Sequence, residues 1–184
     1  MKKILMILMA LVMTLSFAAC GGDGGGNSDG DTGKSTEKEV KRVTTESGDI
    51  SVMPLDIPDY ITEAEEGYNK ILMAKEGDGY GVGEYVLIDG VSQDDETDLG
   101  YPSYVKGQEY TIDMMLADFQ NKHQYKTYTK TTIGDREYVV YEETYDIYYY
   151  TVANNYPVMI QVIGESMKNN DKVMEMIDTI EYNY

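Results

Sequence analysis

The chain has 184 residues, with 33 acidic side chains against 15 basic ones and a formal charge of -18. This length suits one ordinary domain and leaves little room for a second. The negative charge repels polyphosphates and disfavours DNA or RNA as a partner, and a single cysteine supplies no intrachain disulfide.

Met1, Lys2 and Lys3 precede an apolar run from Ile4 to Ala19 broken only by Thr14 and Ser16. A short charged start followed by such a run is the pattern of a secretory signal. The run falls just short of the roughly 17 to 25 residues of a membrane-spanning helix, so the alternative is a short uncleaved anchor. The segment Phe17-Ala18-Ala19-Cys20 resembles the lipobox of bacterial lipoproteins, although Phe17 replaces the aliphatic residue most often found first. The resemblance implies that residues 1–19 form a signal peptide and that Cys20 carries the lipid. Two acyl chains hold a protein at a membrane where one attaches only marginally. The expected address is therefore the extracytoplasmic side of the cell membrane. Residues 20–40, rich in Gly, Asp and Ser, read as lipid anchor and flexible linker, with a mean reach on the order of 25 Å. Gly33-Lys34-Ser35 lacks the preceding strand and following helix of a phosphate-binding loop.

Residues 41–184 are expected to form one α+β domain. A short strand at Ile50 to Val52 ends in a turn marked by Pro54 and Pro58, because each proline removes a backbone donor and constrains its predecessor. Tyr60 to Glu63 reads as another short extended piece. Lys70 to Lys75 is too short for its periodicity to decide between helix and strand. Tyr85 to Ile88 reads as an interior strand bounded by glycines. After the loop SQDDETDLGYPSYVKG, Thr111 is placed to cap a helix whose apolar side is Ile112, Met115, Leu116 and Phe119. An antiparallel meander follows: Gln124 to Thr132, then REYVVYEE after a turn at Ile133-Gly134-Asp135, then Thr144 to Ala153, then YPVMIQVIG after Asn154-Asn155. Asn170 is placed to cap a closing helix with Val173, Met176, Ile177 and Ile180 on one side. An antiparallel sheet flanked by these helices encloses one core.

The order GDISVMPLDIPDYI, middle helix, PVMIQVIG and NNDKVMEMIDTIEY resembles the small lipoproteins and photosystem-associated proteins of the PsbP and Mog1-like superfamily, over roughly Ile50 to Tyr182. The resemblance implies an α/β/α sandwich around an antiparallel sheet, and many exported members serve as binding or accessory proteins. It carries over no individual functional residue.

Reactive chemistry finds little support in the residues themselves. His123, the sole histidine, has no evident ligand or orienting partner by spacing and reads as an exposed structural residue. Ser92, Ser103 and Ser166 lack a nucleophile-elbow context. Glu65-Glu66 and Glu142-Glu143 are adjacent pairs, and neighbouring side chains on a strand point to opposite faces, so no glycosidase pair is implied. The loop acids Asp94, Asp95, Glu96 and Asp98 offer hard oxygen ligands for weak calcium binding, outside any EF-hand register; ordinary solvation is the competing reading. No other cofactor is expected, and the chain is not read as an enzyme.

Tyrosine is the distinctive residue, with 18 copies against two Phe and no Trp. It joins an apolar ring to a hydrogen-bonding hydroxyl, which suits binding surfaces as well as cores. In the strand TYDIYYYTV, Tyr145, Ile147, Tyr149 and Thr151 share one face while Asp146, Tyr148, Tyr150 and Val152 share the other. Tyr148 and Tyr150, with Tyr141, are the candidate ligand-binding residues; Lys122, Lys126 and Lys130 are the nearest bases along the chain. The expected function is a membrane-tethered binding or accessory lipoprotein contacting a protein or a cell-envelope glycan. The alternatives are a structural envelope lipoprotein, a weak calcium-binding module and, least supported, a small hydrolase.

Overall fold

Apolar and polar side chains alternate through most of the chain after residue 40, and strands are the outcome. The computed structural model describes residues 40–54, 57–91 and 101–184, all within one compact unit, Lys38–Tyr184. The signal segment, Cys20, the linker and the loop acids Asp94, Asp95, Glu96 and Asp98 lie outside the described residues.

The strands are β1 (Val43–Thr44), β2 (Ile50–Val52), β3 (Tyr60–Ala64), β4 (Lys70–Lys75) and β5 (Tyr85–Gly90), followed by helix α1 (Ile112–Lys122). Next come β6 (Tyr128–Ile133), β7 (Arg136–Glu142), β8 (Asp146–Ala153) and β9 (Tyr156–Ile163), then α2 (Glu165–Lys168), α3 (Asp171–Asp178) and β10 (Glu181–Tyr182). Seven strands pair in the order β3-β4-β5-β9-β8-β7-β6, every neighbour antiparallel. A second, small sheet runs β1-β2-β10. The result is a mixed α+β fold of antiparallel sheets flanked by a few helices.

Register decides which side chains share a face. Val140, Tyr149, Ile160, Ile88 and Ile71 stand opposite one another across five strands. They form the main core with Val173, Met176 and Ile177 of α3 and with Ile50 and Val52 of β2. On the reverse face, Met115 and Phe119 of α1 pack with Val139, Tyr128 and Tyr150. Helices thus cover opposite faces of the large sheet, since Val139 and Val140 are neighbours on one strand and point opposite ways. A third cluster of Ala74, Tyr85 and Leu87 lies on β4 and β5.

Both helix caps agree with the sequence reading. The Thr111 side chain accepts from the Met114 N–H at 3.3 Å, and Asn170 Oδ1 accepts from the Lys172 N–H at 3.1 Å. Lys70–Lys75 resolves as a strand because it is paired on both edges, by β3 and by β5. The expected strand from Gln124 begins only at Tyr128: the chain leaving α1 first turns, with the Lys126 N–H donating to the His123 carbonyl at 2.9 Å. Ile180 follows α3 rather than belonging to it, although it still reaches the main core. The small sheet has no local signature, since β10 closes it from the far end of the chain. Arg42 ties that closure, donating to the carbonyls of Thr179 at 2.6 Å and Ser51 at 3.1 Å and pairing with Glu181 at 3.4 Å. At the β8–β9 turn, Asn154 and Asn155 adopt φ of 49° and 72°, the left-handed pair that matches strand twist in a two-residue hairpin.

Candidate functional site

Strand alternation puts Tyr148 and Tyr150 on the face of β8 opposite the main core, as the sequence divides them, while Tyr149 and Thr151 are buried. Tyr128, Tyr141 and Tyr148 are register partners across β6, β7 and β8. Their rings therefore form a row, with centroids 5.4 Å apart for Tyr128 and Tyr141 and 5.8 Å for Tyr141 and Tyr148. Tyr150 extends it, 6.5 Å from Tyr148 and nearly parallel at 14°. Aromatic pairs at such separations gain about 0.5–1.5 kcal/mol beyond their area burial. Phe119 of α1 sits at one end, 4.5 Å from Tyr150 and 5.1 Å from Tyr128. Tyr150 is thereby drawn into the α1 packing, whereas Tyr141 and Tyr148 flank the helix-covered region; all three are half-buried.

The row is electrically neutral at its rings and charged at its margin. The Tyr141 hydroxyl donates to Glu143 Oε1 at 2.7 Å, and that carboxylate, with some desolvation, pushes its pKa up to about 12. Desolvation, with Asp146 and Glu143 nearby, raises Tyr148 to about 12 and moves Tyr150 upward as well. These phenols keep their protons and remain donors at ordinary pH. Lys126 Nζ stands 3.9 Å above the Tyr141 ring centroid and 3.7 Å from Glu143 Oε1, a cation–π contact inside an ion pair. This lysine reads from sequence as a solubilising charge; its ring contact depends on the turn between α1 and β6. Lys130 is paired elsewhere, with Asp113 at 2.8 Å and Glu137 at 3.7 Å.

Where Tyr150 meets α1, the face sinks into a cavity of about 270 Å³. Tyr101, Phe119, Tyr150 and Met159 give it apolar walls; Asp89, Lys122 and His123 add polar groups, with the backbone at Gly90 and Val91. His123 is the residue that ends α1, its N–H donating to the Phe119 carbonyl at 2.9 Å. It is half-buried and faces the cavity, rather than fully exposed as its sequence context suggests. Asp89 pairs with Lys70 at 3.3 Å.

One residue that shapes this region escapes the sequence reading. Asp118 is 6% exposed, yet it lies on the inner side of α1 between Met115 and Phe119. Its carboxylate accepts from the Ser103 N–H at 3.0 Å, the Ser103 hydroxyl at 2.6 Å and the Tyr110 hydroxyl at 3.0 Å. This fastens the segment carrying Tyr101 to the helix. Burial and the Asp118 contact keep the Tyr110 hydroxyl protonated. The available signal was an acid at i+3 from Met115, within the apolar stripe, where a charge needs several donors.

The other candidates are dispersed. Ser103 serves Asp118, and Ser166 donates from both its hydroxyl and its N–H to Glu84. Glu142 pairs with Lys168 at 2.7 Å and Glu143 with Lys126 at 3.7 Å, so the two acids serve different partners as strand alternation requires. A wider polar depression of about 470 Å³ lies near Asp135, Glu137 and Asn154; its Arg136 guanidinium rests 4.2 Å from the Tyr182 ring centroid. Among the described residues, no group of three or more His, Cys, Asp or Glu side chains is placed to hold a metal ion. No helix among them is long and apolar enough to cross a membrane.

No protein-family model matches the sequence, and no curated protein matches it. A solved structure from Bacteroides thetaiotaomicron VPI-5482, determined at 1.50 Å, is similar with a TM-score of 0.43 and 15% identity. The likeness covers 75% of this chain and 46% of that one, so this chain spans about half the length of that protein.

Proposed function

We propose that the chain is an extracytoplasmic binding or accessory lipoprotein, tethered through Cys20, whose tyrosine row contacts a protein or a cell-envelope glycan. The observation that carries the reading is the alignment of Tyr128, Tyr141, Tyr148 and Tyr150 at consecutive register positions on one sheet face, beside a cavity. Rings with neutral hydroxyls combine apolar contact with directional hydrogen bonds at low conformational cost, which is what adaptable recognition needs. The strongly acidic composition argues against nucleic acid and against direct adhesion to anionic lipid, and so favours a covalent tether. The finer fold we propose is the α/β/α sandwich of the PsbP and Mog1-like type, in keeping with helices on both faces of the sheet. The scattered pairing of the serines and glutamates supports binding over hydrolysis.

The test uses the full chain, immobilised in a detergent without a sugar head group and exposed to solubilised cell envelope. Retained protein and polysaccharide are compared with those held by a Tyr141→Ala, Tyr148→Ala double variant of equal thermal stability. Loss of a retained component in the variant is the expected result; identical retention by both refutes the role of the row. Repeating the capture in calcium and in chelator checks the expectation for Asp94, Asp95, Glu96 and Asp98.

A further inference from the structure

We infer that the cavity beside Tyr150 takes one neutral pyranose ring, the end unit of a glycan. The inference rests on the binding role proposed for the tyrosine row and narrows it to a chemical class.

Three features of the cavity select that class. Its volume of about 270 Å³ lies just below the roughly 300–1,000 Å³ of sites for larger organic ligands, and so matches a single ring. The walls divide into rings and thioether (Tyr101, Phe119, Tyr150, Met159) and a polar set of Asp89, Lys122 and His123. A pyranose divides in the same way, with C–H faces and a rim of hydroxyls. A wholly apolar ligand would strip water from the polar groups without replacing their hydrogen bonds.

Charge supplies the third feature. Asp89 and Lys122 both line the cavity, so an anion meets a carboxylate and a cation meets an ammonium. A neutral polyol avoids both penalties, since each hydroxyl donates to a carboxylate and accepts from an ammonium or a phenol. Tyr150 joins the cavity to the row, and its ring lies nearly parallel to Tyr148. A unit seated in the cavity thus leaves the rest of its chain beside Tyr148 and Tyr141.

The full chain, in a detergent without a sugar head group and carrying ¹³C-methyl methionine, is titrated with glucose, galactose and N-acetylglucosamine, and with glucuronate and glucosamine as charged counterparts. The Met159 methyl is the reporter. The Met174 methyl, on the helix packed over the opposite sheet face, is the control. At least one neutral sugar should give a saturable Met159 shift with a dissociation constant on the order of 1 mM and no Met174 shift. The charged sugars should bind more weakly. Met159→Trp, which fills the cavity, should weaken binding about tenfold or more when read from the His123 ring signals. Tyr150→Phe keeps the ring and should weaken binding severalfold. Absence of a saturable shift with every neutral sugar overturns the inference, as does equal or tighter binding of a charged one. If envelope capture still depends on Tyr141 and Tyr148 while no sugar shifts Met159, the inference falls and the binding reading stands. If a sugar shifts Met159 while capture ignores Tyr141 and Tyr148, the inference holds and the role of the row falls.

Discussion

Replacing Asp118 with alanine removes the acceptor for three hydrogen bonds at once, and the structure says how unequal their loss will be. Ser103 is exposed, so water can satisfy both its N–H and its hydroxyl once the carboxylate is gone. Tyr110 is 1% exposed, and its hydroxyl is left without an acceptor in the core. Orphaning such a group costs about 1–3 kcal/mol, and each bond to a charged acceptor contributes about 1.5–3 kcal/mol. With water compensating Ser103, the expected net loss is about 3 kcal/mol, or on the order of 10 °C in melting temperature for a domain of this size. Urea unfolding followed by circular dichroism measures it. The sharper assay is a double-mutant cycle with Tyr110→Phe. Alone, Tyr110→Phe should destabilise by about 1–2 kcal/mol; in the Asp118→Ala background it should cost nothing or stabilise, since it removes the orphan hydroxyl. An equal cost in both backgrounds would refute the claim that Asp118 acts through Tyr110.

Further expectations are equally direct. The raised tyrosine pKa values mean that, above pH 10, the unfolded chain gives up phenolic protons that the folded domain retains; stability present below pH 10 should fall as pH rises toward 12 and beyond. Tyrosinate absorbance and circular dichroism should then change together in one alkaline transition, whereas smooth ionisation of a still-folded chain would contradict the burial. At Gly90, an added Cβ would overlap the Tyr184 hydroxyl and approach Ile50 Cδ1 to 2.5 Å and Asn69 Nδ2 to 3.1 Å. Gly90→Ala should therefore cost about 1–3 kcal/mol in denaturant unfolding and loosen the Tyr184–Tyr156 stack at 4.6 Å; unchanged stability would show that the C-terminal tyrosine yields freely. Cys20→Ser should move the protein from the membrane fraction to the soluble one and abolish palmitate labelling; membrane retention without label would point to the uncleaved-anchor alternative.

Much of the fold was legible locally. Thr111 and Asn170 announce helix starts because short polar side chains satisfy the first free N–H groups, and the apolar spacing after them marks the buried side. The split of Tyr148 and Tyr150 from Tyr149 and Thr151 follows from the two-residue period of a strand. Lys70–Lys75 stayed undecided because six residues carry too little period, and its two strand partners are what settle it. The short helix α2 and the small sheet were absent from the reading, the first for want of length and the second because β2 and β10 meet from opposite ends of the domain.

The candidate site divides along the same line. Residue chemistry and alternation alone determined that tyrosines would crowd one strand face, that adjacent glutamates would not cooperate, and that the acidic chain would not suit polyanions, since these depend only on side-chain identity and strand period. Tertiary structure decided that Tyr128, Tyr141 and Tyr148 fall at matching register positions, that Lys126 lies over Tyr141, and that the end of α1 brings Lys122 and His123 to Asp89 around a cavity. Those contacts join residues far apart along the chain, and no local pattern encodes the register or the helix placement that brings them together.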